Sequence, residues 1–142
     1  MLRTLALGLL LLSFITLAAC TQSSTSGTTG AVIGAGTSTA GNLKVTLLNA
    51  KGRLSEGDNE FTVEFKNSSG QAIDVGAITL AFDMAGMGSM PPMHNNAQLT
   101  TTQTPGIYQA HAKIEMNGTW QVNIAYKGPA GEGKASFPIQ AK

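Results

Sequence analysis

The chain has 142 residues, 42% of them hydrophobic and only 12% charged, with nine basic against eight acidic side chains. A balance this close to neutral, with no Lys/Arg run, offers no electrostatic footprint for nucleic acid and no polybasic patch for anionic lipid heads, so nucleic-acid binding is excluded. The single cysteine rules out an intrachain disulfide, and the fold must rely on its core.

The chain opens with Met1-Leu2-Arg3, an apolar run over residues 5–17, and Leu17-Ala18-Ala19-Cys20. This is the layout of a secretory signal peptide over residues 1–19; the run is short for a spanning helix, and Thr and Ser follow it without a basic stop-transfer cluster. Leu-Ala-Ala-Cys resembles the bacterial lipobox, which implies a lipidated Cys20 as the mature N-terminus and an extracytoplasmic protein held to a bacterial membrane. Two or more acyl chains make such an anchor firm. Removing the leader takes Arg3 with it and leaves eight basic and eight acidic side chains.

Residues 20–41 contain Ser, Thr, Gly and Ala with almost nothing large. Such a segment buries too little apolar surface to offset the entropy of ordering it, and it reads as a flexible tether without a strand at Val32-Ile33. On the Gly/Ser coil scale its mean reach is on the order of 25 Å.

Residues 42–142 make one domain of about a hundred residues. Apolar positions recur there with period two, and no stretch keeps the three-four spacing of a helix. Leu43, Val45 and Leu47 alternate first, then Phe61, Val63 and Phe65 opposite Thr62, Glu64 and Lys66. Ile78, Leu80, Phe82 and Met84 form a third set, residues 98–102 a short run, and Tyr108, Ala110, Ala112 and Ile114 the next. Trp120, Val122, Ile124 and Tyr126 follow, and Ala135, Phe137 and Ile139 close the chain. Burying one face of each predicts an all-β, antiparallel β-sandwich of about seven strands. Asn117-Gly118 predicts a tight hairpin between the runs on either side of it, and Pro138 predicts an edge strand or a bulge for the last run.

The most informative stretch follows the third run: Met84-Ala85-Gly86-Met87-Gly88-Ser89-Met90-Pro91-Pro92-Met93-His94. Four of the chain's six methionines lie in these eleven residues, one every third position. A Met stripe on a packed helix is the common meaning of that spacing, but two glycines at about 1 kcal/mol and two prolines at about 3 kcal/mol each oppose a helix. The segment therefore reads as a surface loop. Thioethers are soft donors with no proton to lose and select copper(I), whereas hard oxygen ligands would point to calcium or magnesium. Two readings stand: metal ligation, or an adaptable apolar contact surface for a protein partner. Candidate ligands are Met84, Met87, Met90, Met93 and His94 on the loop, Met116 before the Asn-Gly turn, and His111. Strand parity places His111 on the outward face. With two histidines, scattered acids and Asp83 reading as an outward residue at a strand end, no nucleophile and base set is present, and the chain is not read as an enzyme.

Gly106-Ile107-Tyr108 followed by Met116-Asn117-Gly118-Thr119-Trp120, downstream of the Met loop, resembles the YtkA-like domain, related to FixH-type proteins. The resemblance covers most of residues 43–139. It implies an immunoglobulin-like β-sandwich, exported or membrane-attached, with links to copper handling and cytochrome oxidase assembly, and it supports Met84, Met87, Met90, Met93 and Met116 by position. The loop with its following His94 also resembles periplasmic copper(I) chaperones of the PCuAC type, although their full His/Met pattern is absent. The expected function is a membrane-anchored metallochaperone or copper buffer that serves a cytochrome oxidase subunit or a copper exporter. The competing expectation is a metal-free module that docks on a membrane complex through the same loop.

Overall fold

The structure is a computed structural model that describes residues 29–142. The signal peptide, Cys20 and the tether up to residue 28 lie outside the described residues. Nine strands follow in order: β1 Ala31–Ala40, β2 Leu43–Asn49, β3 Gly57–Lys66, β4 Ala77–Met84, β5 Met93–Asn96, β6 Gln98–Thr101, β7 Ile107–Ile114, β8 Gly118–Gly128 and β9 Gly131–Ala141. They form a five-stranded sheet, β1-β2-β3-β7-β6, packed on a four-stranded sheet, β5-β4-β8-β9, with antiparallel pairing between all named neighbours. The expected all-β, immunoglobulin-like sandwich is the observed fold.

The alternating runs supply the inner faces. Val45, Leu47, Phe61, Val63 and Phe65 of one sheet meet Phe82, Trp120, Val122 and Ile124 of the other, all of them buried. Edge-to-face ring contacts span the gap, Phe61 on Phe82 at 5.9 Å and Phe65 on Tyr126 at 5.5 Å between centroids. Such pairs add about 0.5–1.5 kcal/mol beyond area burial. Pro138 lies in β9, which is an edge strand, so its missing donor costs no ladder bond on the open side. The loop after β3 is tied down by Tyr108, whose hydroxyl donates to Asp74 Oδ1 at 2.8 Å and accepts the Val75 N–H at 3.1 Å.

Three expectations are corrected. The tether does not reach residue 41, because Ala31–Ala40 is strand β1, paired with β2. Its small residues are ordered by ladder hydrogen bonds, by Ile33 and Ala40 in the core, and by the Tyr126 hydroxyl, which donates to the Ala40 carbonyl at 3.1 Å. Strands number nine because β1 and the four-residue β5 join the seven alternating runs. Asn117-Gly118 does not close a hairpin: β7 pairs with β3 and β6, whereas β8 pairs with β4 and β9. The chain there crosses between sheets, so that Ile114 and Trp120 enter the same core from opposite sides.

Candidate metal centre

The register of β4 with β5 decides where the loop's donors point. Met84 pairs with Met93 and Asp83 with His94. Directly opposed residues share a face, and neighbours along a strand take opposite faces. Met84 is 5% exposed and Met93 is half-buried against the core, while Asp83 and His94 stand on the outer face. The two ends of the Met loop are thus structural. The Met84 methyl lies within 3.0 Å of where a side chain on Gly118 would begin, so it fills the space under the β7–β8 crossover. Met116 is likewise half-buried against the core, and its carbonyl accepts the Trp120 indole N–H at 3.0 Å.

Between these anchors the chain makes a second, smaller hairpin. The Met87 N–H donates to the Met90 carbonyl at 3.2 Å, and the Met90 N–H donates back to the Met87 carbonyl at 2.9 Å. Gly88 takes a φ of +58° in the two-residue turn, a conformation glycine adopts without steric cost. A pair that exchanges both hydrogen bonds holds its Cα atoms about 5.5 Å apart with side chains on one face. Met87 and Met90 accordingly leave the hairpin on one face and are 54% and 40% exposed; Val32 is the one other large apolar residue exposed among the described residues.

Met87 turns toward the outer face of the four-stranded sheet, where it shares a shallow depression with Asp83, Gln121 and Gln140. Asp83 is the end of a polar chain that crosses the sheet. The Gln121 amide donates to Ser136 Oγ at 2.7 Å, and Ser136 donates to Asn123 Oδ1 at 2.6 Å. The Asn123 amide donates to Asp83 Oδ2 at 2.6 Å, and His94 Nδ1 meets Asp83 Oδ1 at 2.5 Å. Every donation runs toward the carboxylate. The His94 hydrogen bond, aided by that from Asn123, holds the Asp83 carboxyl below the usual carboxylate range. The same hydrogen bond and the carboxylate charge raise the His94 imidazole above its ordinary value, with a further contact from Asn96. A carboxylate on Nδ1 fixes the ring orientation and the tautomer that offers Nε2 to a metal.

His111 belongs elsewhere. It lies on the outer face of the five-stranded sheet, where parity placed it, opposite Glu60 and Gln98 and 3.5 Å from Asp58 Oδ1. The sandwich, whose sheets pack roughly 10 Å apart, separates it from His94. Cys20 lies outside the described residues. The structure therefore pairs Met87 with Met90 across the hairpin, sets Met87 beside Asp83 in the depression, joins His94 to Asp83, keeps Met84, Met93 and Met116 at the core, and sets His111 apart. Among the described residues no group of three or more His, Cys, Asp or Glu is placed to hold a metal ion, so a metal bound here would have to draw on the thioethers. Sequence reading names Asp83 only as an outward residue at a strand end and misses Asn123, Ser136 and Gln121. Their outward parity was visible, but their meeting depends on the β5-β4-β8-β9 order.

A family model described as YtkA-like matches residues 37–125, which takes in the last four residues of β1, the whole Met loop and most of β8. That match does not extend the likeness to the PCuAC-type chaperones. No curated protein and no solved structure matches the chain significantly.

Proposed function

The chain belongs to the YtkA-like family, and on that premise we propose that it is an exported, lipid-anchored protein that binds copper(I) as transferable cargo, acting as a buffer or metallochaperone. The observation that carries this reading is the Met87–Met90 pair. Two soft donors stand side by side on a hairpin closed by main-chain bonds, open to solvent and free of core duty. His94, held at Nδ1 by Asp83, supplies the third donor. With no thiolate in the set the ion stays exchangeable, and the exposed face lets an acceptor's ligands approach before the thioethers let go. The acceptor would be a cytochrome oxidase subunit or a copper exporter, reached from the tether above a bacterial membrane.

One observation also favours the metal-free reading: Met87 and Met90 form an exposed apolar tip, which suits docking on a membrane complex. Anaerobic titration of the full chain with copper(I) against a chromophoric chelator separates the two. Copper binding supports the proposal if it is lost in Met87→Leu/Met90→Leu and kept in His111→Asn. A chain that removes no copper from the chelator while remaining folded leaves the docking reading in its place.

A further inference from the structure

The five methionines of the described residues fall into two populations. Met84 is buried and Met93 and Met116 are half-buried against the core, whereas Met87 and Met90 project from the hairpin tip. Oxidation of a thioether follows its exposure, and the sulfoxide is polar, so an oxidised Met84 would disrupt the space under Gly118 while an oxidised Met87 would stay in water. The tip also keeps its shape without its side chains, because the two bonds that close it run between main-chain atoms of residues 87 and 90. A soft cation needs the sulfur lone pairs, and sulfoxide formation takes one of them.

We propose that Met87 and Met90 are a modification site for two-electron oxidants of the hypohalous acid class, and that their conversion to sulfoxide releases the bound soft cation without unfolding the domain. In the step itself hypochlorous acid transfers its oxygen to the sulfur. The O–Cl bond breaks, an S–O bond forms, the thioether is oxidised by two electrons, chlorine leaves as chloride, and the proton goes to solvent. Reversal needs a sulfoxide reductase driven by thiols. The release rests on the copper(I) reading above, but the order in which the methionines react does not.

The test treats the metal-free full chain with graded hypochlorous acid, locates each added oxygen by tandem mass spectrometry, and follows Trp120 fluorescence and copper(I) competition on the same samples. Met87 and Met90 are expected to react roughly tenfold faster than Met84, Met93 and Met116. Trp120 emission should hold while copper affinity falls by at least about tenfold. Met87→Leu/Met90→Leu should gain oxygen only at the slower rate of the core methionines. Reaction of the three core methionines at the same rate as the tip, or copper binding that survives oxidation of both tip residues, overturns the proposal. An untreated chain that binds no copper overturns the copper reading and the release with it, while the ordered oxidation still stands.

Discussion

Replacing Met84 and Met87 separately by alanine tests a division of the Met loop into a part that folds the domain and a part proposed to meet copper(I). Met84 is 5% exposed and packs beneath the β7–β8 crossover, so truncation leaves a cavity between Gly118 and the inner face of β4. Large-to-small changes at such sites cost about 2–5 kcal/mol. Against a net stability of about 5–15 kcal/mol this is a substantial fraction. At about 4 °C per kcal/mol for a domain of this size, the melting temperature should fall by roughly 8–20 °C. Met87 is 54% exposed and its hairpin is closed by main-chain bonds, so its truncation should stay within about 0.5 kcal/mol. Thermal and urea unfolding followed by Trp120 emission, run beside copper(I) competition, reads both quantities on each variant. Met84→Ala should lose stability and keep copper while native; Met87→Ala should do the reverse. A Met84→Ala chain that melts within about 2 °C of wild type but no longer competes for copper would refute the division, since a buried thioether would then be a ligand without being a packing element.

Gly106→Ala should destabilise by more than about 2 kcal/mol, because φ is +80° there and a Cβ would lie 2.5 Å from the Ile73 nitrogen; a urea midpoint unchanged from wild type would contradict the loop packing. Asp74 has its pKa lowered by hydrogen bonds from the Gly76 N–H and the Tyr108 hydroxyl. Its contribution is therefore present above the ordinary carboxylate range and fades as pH falls through the depressed value. Asp74→Asn should lower stability at neutral pH and flatten its loss toward acid, which parallel pH-dependent melts would detect. Asp83→Asn should bring the His94 imidazole down toward its ordinary value, because the partner that raises it is removed; an NMR titration in which the His94 midpoint does not move would dismiss the pair.

Legibility in the sequence follows how strongly each element is marked by burial. Runs such as Phe61, Val63 and Phe65 or Trp120, Val122 and Ile124 announce their strands, because one face is wholly apolar and a slip of one residue would turn it to water. Strand β1 carries no such mark: Ile33 and Ala40 reach the core, and further order comes from backbone pairing with β2 and from the Tyr126 hydroxyl on the Ala40 carbonyl, to which composition is blind. Strand β5 is four residues long, Met-His-Asn-Asn, too short for a period to register. At Asn117-Gly118 the dipeptide predicts the positive φ values of a tight hairpin turn, but Asn117 does not adopt one and the chain passes to the opposite sheet, a choice that turn chemistry does not specify. The Met loop was legible as a loop through Gly86, Gly88, Pro91 and Pro92, but equal spacing in sequence became unequal exposure once residues 84 and 93 were drawn into β4 and β5.

That inequality would let one loop serve folding and, on the copper(I) proposal, binding without trading one against the other. Had all four methionines been ligands, metal would have had to pull Met84 out of the core, and affinity would have been lowered by the cost of opening it. With Met84 and Met93 opposed on the inner face, the β4–β5 ladder fixes the base of the loop by apolar contact. The Met87–Met90 bridge then starts both side chains on one face of the hairpin, so the backbone ordering that the proposed ligation would require is supplied by folding. On the outer face the chain of hydrogen bonds through Ser136, Asn123 and Asp83 does the same for His94. On the copper(I) proposal, a donor pair exposed at the tip would accept an ion with little rearrangement of the fold and give it up as readily, which suits transfer more than storage.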